Sequence, residues 1–560
     1  MKFFFHRRGP EGPTSGKNQP GFAGEDSRGR KAAEWFLLAL ILLLVGLLRF
    51  RLLGIPLERD EGEFAYMGQQ ILKGIPLYTQ AYDIKFPGVY LMYALIMSLF
   101  GQTTVGIHLG LLLVNSISTV LLFLLGKKIA GGFTGIISAA GFAILSLSVS
   151  TNGFATHATQ FVVLPALGGV FLLLRALEDG GRVRYYVWSG VASGVALIMK
   201  QAAIFFILFS VTYAVLHSLG SGARRPGKET VLKLTGLVLG SLLPLSAAIL
   251  WLYAIGAFEK FWYWAVVYAS TFGSQASMSE GLGLFWGNFS RVVDGFFLLW
   301  ILGLLGMLTL PFQTGLNVKK SFPVLFALFS FLAVCPGFLF RPHYFVMVLP
   351  AVALLAGSFA NLVRLRTPGG PGGRLSLIAA SGLVAVAIAT GLFSQRGYFF
   401  RDDMKKILRD TYGANPFPEA VQVAEFIASR SAPTDKIAVL GSEPEIYFYS
   451  GRQSATSYID TYNLMVPHPD ALWMQTDMIR EIESQEVKFI VFVTTYASWA
   501  QRPGSETHIL DWLRSYLTDH YSTVGVAEIV SADSTRYDWN VKGSDYRVKA
   551  ASALLVFERR

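Results

Sequence analysis

Charge is scarce in this sequence: only 15% of its 560 residues are Asp, Glu, Lys or Arg. A soluble domain carries roughly 25%, so there is too little charge to coat a wholly water-facing surface. Cysteine is nearly absent as well. The single Cys335 lies in an apolar run, which excludes an intrachain disulfide and leaves a small buried hydrophobe. No two of the 8 histidines have metal-ligand spacing, so any metal would be held mainly by carboxylates. There is no internal repeat and no glycine-rich phosphate loop. Acids are outnumbered by bases, 37 to 48, for a net charge of +11. Much of that excess sits in short loops between apolar runs, where it sets topology, so a nucleic-acid-binding face is excluded.

What the chain has in quantity is apolar sequence. Hydrophobic residues make up 52% of it and mean hydropathy is +0.46. Runs long enough to cross about 30 Å of hydrocarbon recur between residues 34 and 394. They predict roughly eleven transmembrane helices, at 35–53, 103–126, 131–150, 158–176, 187–199, 202–218, 233–257, 293–312, 322–339, 344–362 and 375–394. Residues 1–33, rich in Gly, Pro, Arg and Lys, are expected to be a disordered basic cytoplasmic arm. Phe3-Phe4-Phe5 is too short for a signal-peptide core, so the first span is expected to be retained as an anchor.

Loop charge supports this count. With the arm inside, the inside loops hold Lys127-Lys128, Arg175 to Arg184, Arg224-Arg225-Lys228, Lys319-Lys320 and Arg364-Arg366-Arg374, all basic as the positive-inside rule requires. The outside then holds a large first loop, 54–102, and everything after 395. Residues 88–101 are apolar but too short to span comfortably, and are expected to form an outer juxtamembrane helix. The aromatic run Glu259 to Trp264 has the same character. From 396 to 560 charge and turn residues become frequent. Short apolar runs at 436–441, 488–494 and 553–558 predict strands and 417–430 a helix, hence a small soluble extracytoplasmic α/β domain.

Ionisable groups at a membrane boundary are costly without a reason, and four clusters fall on the outer side. Glu58-Arg59-Asp60-Glu61-Gly62-Glu63 follows the first span. Asp60 can cap a helix running to Gly74 with Glu63 in the capping-box position, or serve in chemistry; the two are compatible. Tyr82-Asp83-Ile84-Lys85 leads into 88–101, and Lys85 can bind a lipid phosphate or simply snorkel. Lys200-Gln201 joins two short spans. Arg341-Pro342-His343-Tyr344 sits at a helix junction, where Arg341 and His343 can hold an anion or anchor the interface and Pro342 can open the next helix. His157, in the turn 152–157, is a weaker candidate, and His108 and His217 are expected to be packing residues.

At these residues the chain resembles the GT-C membrane glycosyltransferases of the family 39/83 type, which includes protein O-mannosyltransferases, aminoarabinose transferases of lipid A and RgtA/B/C/D-like enzymes. The resemblance rests on Arg59-Asp60-Glu61-Gly62-Glu63-Phe64-Ala65-Tyr66, Lys85-Phe86-Pro87-Gly88, Thr156-His157, Lys200-Gln201 and Pro342-His343-Tyr344-Phe345, in that order across 34–395. It implies a GT-C catalytic domain in a bacterial plasma membrane, transferring a sugar with inversion from a polyprenyl-phosphate donor. The acceptor would be a hydroxyl on a lipid, cell-envelope glycan such as lipopolysaccharide, or protein. Asp60 would be the general base and Glu61 would shape the site or help Asp60 hold a divalent cation. Lys85, Lys200 and Arg341 would neutralise the lipid phosphate, with Asp83, Glu63, His157, Gln201, His343 and Tyr344 nearby. The segment after 396 lies outside the shared pattern and is expected to contribute no catalytic residue. The rival reading, a transporter or lipid flippase, would place charges near the bilayer midplane and pseudo-symmetry between halves.

Overall fold

Each of the eleven predicted spans overlaps a helix in the structure, a computed structural model that describes residues 22–178, 181–220, 227–273, 276–310, 318–367, 373–541 and 548–560. The first is α1 (Phe22–Phe50); α2 (Arg59–Leu72) and α3 (Gly88–Phe100) lie in the first loop. The bundle continues with α4 (Thr104–Ala130), α5 (Gly132–Leu145), α6 (Ala158–Glu178), α7 (Val183–Met199), α8 (Ile204–Gly220) and α9 (Lys228–Ala254). Then come α10 (Phe258–Phe261), a π-helical stretch (Trp262–Tyr268), α11 (Ala269–Gly273), α12 (Met278–Asp294), α13 (Phe297–Thr309), α14 (Val318–Leu332), α15 (Leu349–Arg366) and α16 (Arg374–Ser394). Among the described residues, 7 helices are long and apolar enough to cross a membrane, or 8 if a bent pair counts as one span.

Three expectations need correcting. Residues 22–33 of the arm assigned to disorder are the start of α1; residues 1–21, like the loop arginines Arg224 and Arg225, lie outside the described residues. Five of the eleven helices, α5, α7, α8, α13 and α14, have 14, 17, 17, 13 and 15 residues, short for a perpendicular crossing. The span predicted at 293–312 is α13 with the last residues of α12, and the two helices meet at a bend of 106°. The break has a local cause: the Gly295 carbonyl accepts from Gln395 Nε2 at 2.9 Å and from Ser394 Oγ at 3.1 Å, so side chains of the α16 end supply its partners.

Helices approach closely where residues are small. A Cβ on Gly194 of α7 would clash with Pro244 and the Ser241 carbonyl of α9, the close backbone contact that membrane bundles build on glycine. The basic helix ends gather at one end of the bundle. Lys127 pairs with Glu34 at 2.6 Å, Lys128 with Glu178, and the Arg364 guanidinium lies 4.8 Å from the Phe133 ring centre. The start of α2, the N-terminus of α6 and the α7–α8 turn meet at the other end.

After α16 the chain forms α17 (Arg396–Phe399), α18 (Met404–Tyr412) and α19 (Phe417–Arg430), the last with the bounds the sequence predicted. A six-stranded sheet follows, ordered β2-β1-β3-β6-β4-β5. Its strands are β1 (Lys436–Leu440), β2 (Gln453–Ser454), β3 (Val487–Val493), β4 (Tyr521–Ile529), β5 (Thr535–Asp538) and β6 (Ala553–Arg559). β2, β1 and β3 pair in parallel, and β6 pairs antiparallel with both β3 and β4. The apolar runs read as strands are β1, β3 and β6. β4 and β5, with alternating or polar faces, were not anticipated. This segment rests directly on α2: a Cβ on Gly62 would come within 2.6 Å of the backbone nitrogen of Glu445, which begins α20 (Glu445–Ser450).

Candidate active site

The start of α2 sets the site. Its cap is Glu58, two residues before the predicted Asp60. Glu58 Oε1 accepts from the Glu61 amide at 3.1 Å, and Glu61 Oε2 accepts from the Glu58 amide at 3.3 Å. This is a capping box built from Glu58 and Glu61. The shift matters, because it frees Asp60 and Glu63 from capping. With Phe64 they occupy positions i, i+3 and i+4, one helical face, and all three line the same cavity.

Glu61 faces elsewhere. It is fully buried; Oε1 accepts from the Thr156 amide at 2.6 Å and meets His108 Nε2 at 3.1 Å, while Oε2 serves the cap. Burial raises its carboxyl, but His108 and the Thr156 amide outweigh that and lower it. The catalytic or metal-binding place expected for Glu61 is therefore corrected: it locks α2 to α4 and to the Thr156 turn. His108, expected to be packing, is that lock's other half, with Nδ1 2.9 Å from the Leu53 carbonyl.

The cavity, of about 370 Å³, lies within the range of small-ligand pockets. Its cations come from three elements. Lys85 Nζ is 3.4 Å from Asp83 Oδ1, and Asp83 in turn accepts from the Tyr90 hydroxyl at Oδ2. Burial alone would lower the Lys85 ammonium, but Asp83, Asp60 and Glu63 raise it, so it stays charged. Lys200, in the α7–α8 turn, sits 3.5 Å from the Tyr344 ring centre. Burial, then the nearby Lys85 and Arg341 charges, bring its ammonium down to about 7 against the pull of Asp60. Arg341 precedes Pro342, which opens a 3-10 turn (Pro342–Met347) ahead of α15. Gln201 is not on the wall; its Nε2 donates to the Ile84 carbonyl at 2.9 Å and so fixes the backbone beside Lys85.

Asp60 departs from expectation in one respect. Desolvation at the lipid boundary would by itself raise the pKa of a carboxylate base. Burial does push Asp60 up, but His157, Lys85 and His343 overcome it and hold the carboxyl well below the usual range. At 3.6 Å the His157 Nδ1–Asp60 Oδ2 contact is an ion pair, too long for a hydrogen bond. Glu63 goes the other way: burial and Asp83 raise it well above the usual carboxyl range, and its buried Oε1 has no hydrogen-bond partner.

His157, the weaker candidate, is buried beside Asp60 behind the cavity wall. Its ring stacks on His343 at 3.9 Å, 15° from parallel, and neither of its buried nitrogens has a hydrogen-bond partner. Asp60, His157 and His343 each offer a ligand atom within 4.8 Å of the others. That set fits a divalent cation better than the Asp60–Glu61 pair expected from the sequence, since two neutral imidazoles and a carboxylate are a common borderline-metal set. Histidines 186 residues apart in the chain leave no spacing signal.

The other wall comes from the segment after 396, which was expected to contribute no catalytic residue. Asp460, Tyr462, Asn463, Tyr496, Ala497 and Ala500 line the cavity. Arg59 joins the two halves: its Nε donates to the Ser442 carbonyl at 2.5 Å and its Nη2 is 3.3 Å from buried Glu443. The run Tyr458 to Asn463, polar and aromatic without strand or helix periodicity, was the signal available in the sequence for this wall.

Residues 85–251 match the family model described as dolichyl-phosphate-mannose-protein mannosyltransferase. No curated protein matches the sequence. Among solved structures, ArnT from Cupriavidus metallidurans bound to undecaprenyl phosphate is similar, with TM-score 0.59 and 14% identity over 93% of this chain and 97% of that one. The archaeal oligosaccharyltransferase AglB from Archaeoglobus fulgidus, in complex with an inhibitory peptide and a dolichol-phosphate, has TM-score 0.49 and 13% identity over 93% of this chain and 75% of that one. The likeness to ArnT fixes the fold as GT-C. Residues 85–251 thus share the pattern of that family model, and the chain has the fold of ArnT.

Proposed function

We propose that the protein transfers a sugar from a polyprenyl-phosphate carrier to a hydroxyl acceptor, with inversion, on the outer face of the membrane. The observation that carries this reading is one cavity holding Asp60 together with Lys85, Lys200 and Arg341. The family description names a dolichyl-phosphate sugar donor, and the ArnT structure holds undecaprenyl phosphate; both support a lipid-phosphate donor here.

In this scheme the bond from the anomeric carbon to the phosphate oxygen breaks while the acceptor oxygen attacks from the opposite face. Charge grows on the departing phosphate, and cations placed beforehand lower the barrier. Lys85 is charged in the free site, and Lys200 takes up a proton as the donor's monoanionic phosphodiester binds and turns into a departing dianionic phosphomonoester. Asp60, ionised at working pH, accepts the acceptor's hydroxyl proton late, once C–O bond formation has made that proton acidic. Glu63, on the cavity wall with no hydrogen-bond partner for its buried Oε1, is placed to contact the sugar or phosphate. A divalent cation held by Asp60, His157 and His343 would supply further positive charge for phosphate oxygens.

The test is incubation of the purified protein with a panel of polyprenyl-phosphate sugars and envelope acceptors, reading carrier release and product anomer. The reading expects acceptor-dependent release of polyprenyl phosphate and a product of inverted configuration. Retained configuration, or no turnover of any lipid-phosphate sugar by folded protein, overturns it.

A further inference from the structure

A second cavity lies at the opposite end of the bundle. It has a volume of about 220 Å³ and is bounded by the C-terminal end of α6 (Leu177), the start of α7 (Gly181, Tyr186), the C-terminal end of α8 (Ala214, His217, Ser218) and the first turns of α9 (Thr230, Lys233, Leu234). Asp60 is at the far end of α6, about 30 Å away at 1.5 Å per residue over its 21 residues. The two cavities are separate.

Much of its lining is polar: Tyr186, His217, Ser218, Thr230 and Lys233. Lys233 reaches into it and pairs with Glu229 at 2.6 Å; the Glu229 side chain is 74% exposed, so the pair opens to water. Ser218 Oγ and Thr230 Oγ1 are 3.0 Å apart. Gly181, at φ +74, lets the ammonium lie over the α6–α7 turn, where any Cβ would collide with Lys233 Nζ. Arg182 and Arg184 follow directly in the chain. The hydrocarbon-facing surface begins one residue from this lining: Leu219, Val231 and Leu232 are exposed, and Trp188, 59% exposed, stands at a depth suited to an interfacial anchor.

We propose that this cavity binds the phosphate headgroup of an anionic membrane lipid, with Lys233, His217, Ser218, Thr230 and Tyr186 around the head and the acyl chains along the exposed faces of α8 and α9. A basic pocket between transmembrane helices, opening at headgroup level onto apolar surface, has the chemistry for that ligand. A soluble phosphate compound would use the same polar groups but gain nothing from Leu219, Val231 and Leu232. The site lies outside the sugar-transfer machinery, so its test stands apart from that of the proposed function.

The experiment uses the full chain in nanodiscs containing photoactivatable phosphatidylglycerol or photoactivatable phosphatidylcholine, with crosslinked peptides mapped by mass spectrometry. We expect phosphatidylglycerol crosslinks in the peptides bearing residues 177–186 and 214–234, at least fivefold above phosphatidylcholine. They should fall at least fivefold in Lys233→Gln, and should weaken in Tyr186→Phe, which keeps the ring and its packing. Lys488→Gln, on β3, should leave them unchanged. Equal labelling by the two lipids, or labelling unaltered in both cavity variants while they remain monodisperse, overturns the proposal. Competition by millimolar inorganic phosphate that abolishes the labelling would show a soluble anion as the ligand and overturn the lipid assignment.

Discussion

Lys200 is held at the edge of losing its charge, because burial and two cationic neighbours bring its ammonium down to about 7. Below that pH it is protonated in the free site; above it, the neutral form prevails and donor binding has to draw a proton from solution. Apparent donor affinity should therefore weaken by roughly tenfold between pH 7 and pH 8.5. Lys200→Arg should flatten that profile, since a guanidinium stays charged throughout. Affinity titrations at several pH values decide this, and a wild-type profile that is flat from pH 6.5 to 8.5 contradicts it. Lys85 behaves differently, since Asp83, Asp60 and Glu63 keep it charged, so Lys85→Ala should weaken donor binding at every pH while leaving acceptor KM nearly unchanged.

At the scale of elements, the join between α2 and the sheet-bearing segment positions the carboxylate face. Arg59→Ala would leave Glu443, whose side chain is 0% exposed, without its cation. Breaking a buried pair by removing one partner costs about 3–5 kcal/mol, so thermal unfolding should shift down markedly. Gly62→Ala meets the Glu445 backbone nitrogen at 2.6 Å and should cost about 1–3 kcal/mol by overpacking. Thermal melts of both variants in one detergent check these values, and unchanged transitions would mean the two halves do not depend on this contact. The same region shows what a sequence can reveal. Helix α19 and strands β1, β3 and β6 were legible because each is an apolar run or a periodic stretch with clear flanks. The cap at Glu58 was missed because four acids, Glu58, Asp60, Glu61 and Glu63, lie within two turns, and local pattern cannot tell which one folds back onto the amides. His157 and His343 come together only through tertiary packing and leave no mark in local spacing.

The whole molecule has two chemically distinct ends. Basic helix termini and the lipid-phosphate cavity proposed here occupy one, and the cavity of Asp60, Lys85, Lys200 and Arg341 occupies the other. The positive-inside rule then assigns the first end to the cytoplasm, and a periplasmic reporter fused after residue 400 should be active; activity only from a cytoplasmic reporter would reverse the orientation. The eleven apolar segments were readable one by one. The 106° break at α12–α13 was not, because its cause is a carbonyl taken by Gln395, a residue 100 positions away. The most direct test of the account is sugar transfer by Asp60→Asn in native membranes. The variant keeps the side chain's shape and should keep the fold, with donor binding preserved and transfer lowered by at least about 10²-fold, the scale of a lost general base. Transfer at the wild-type rate by a folded Asp60→Asn protein would contradict the account.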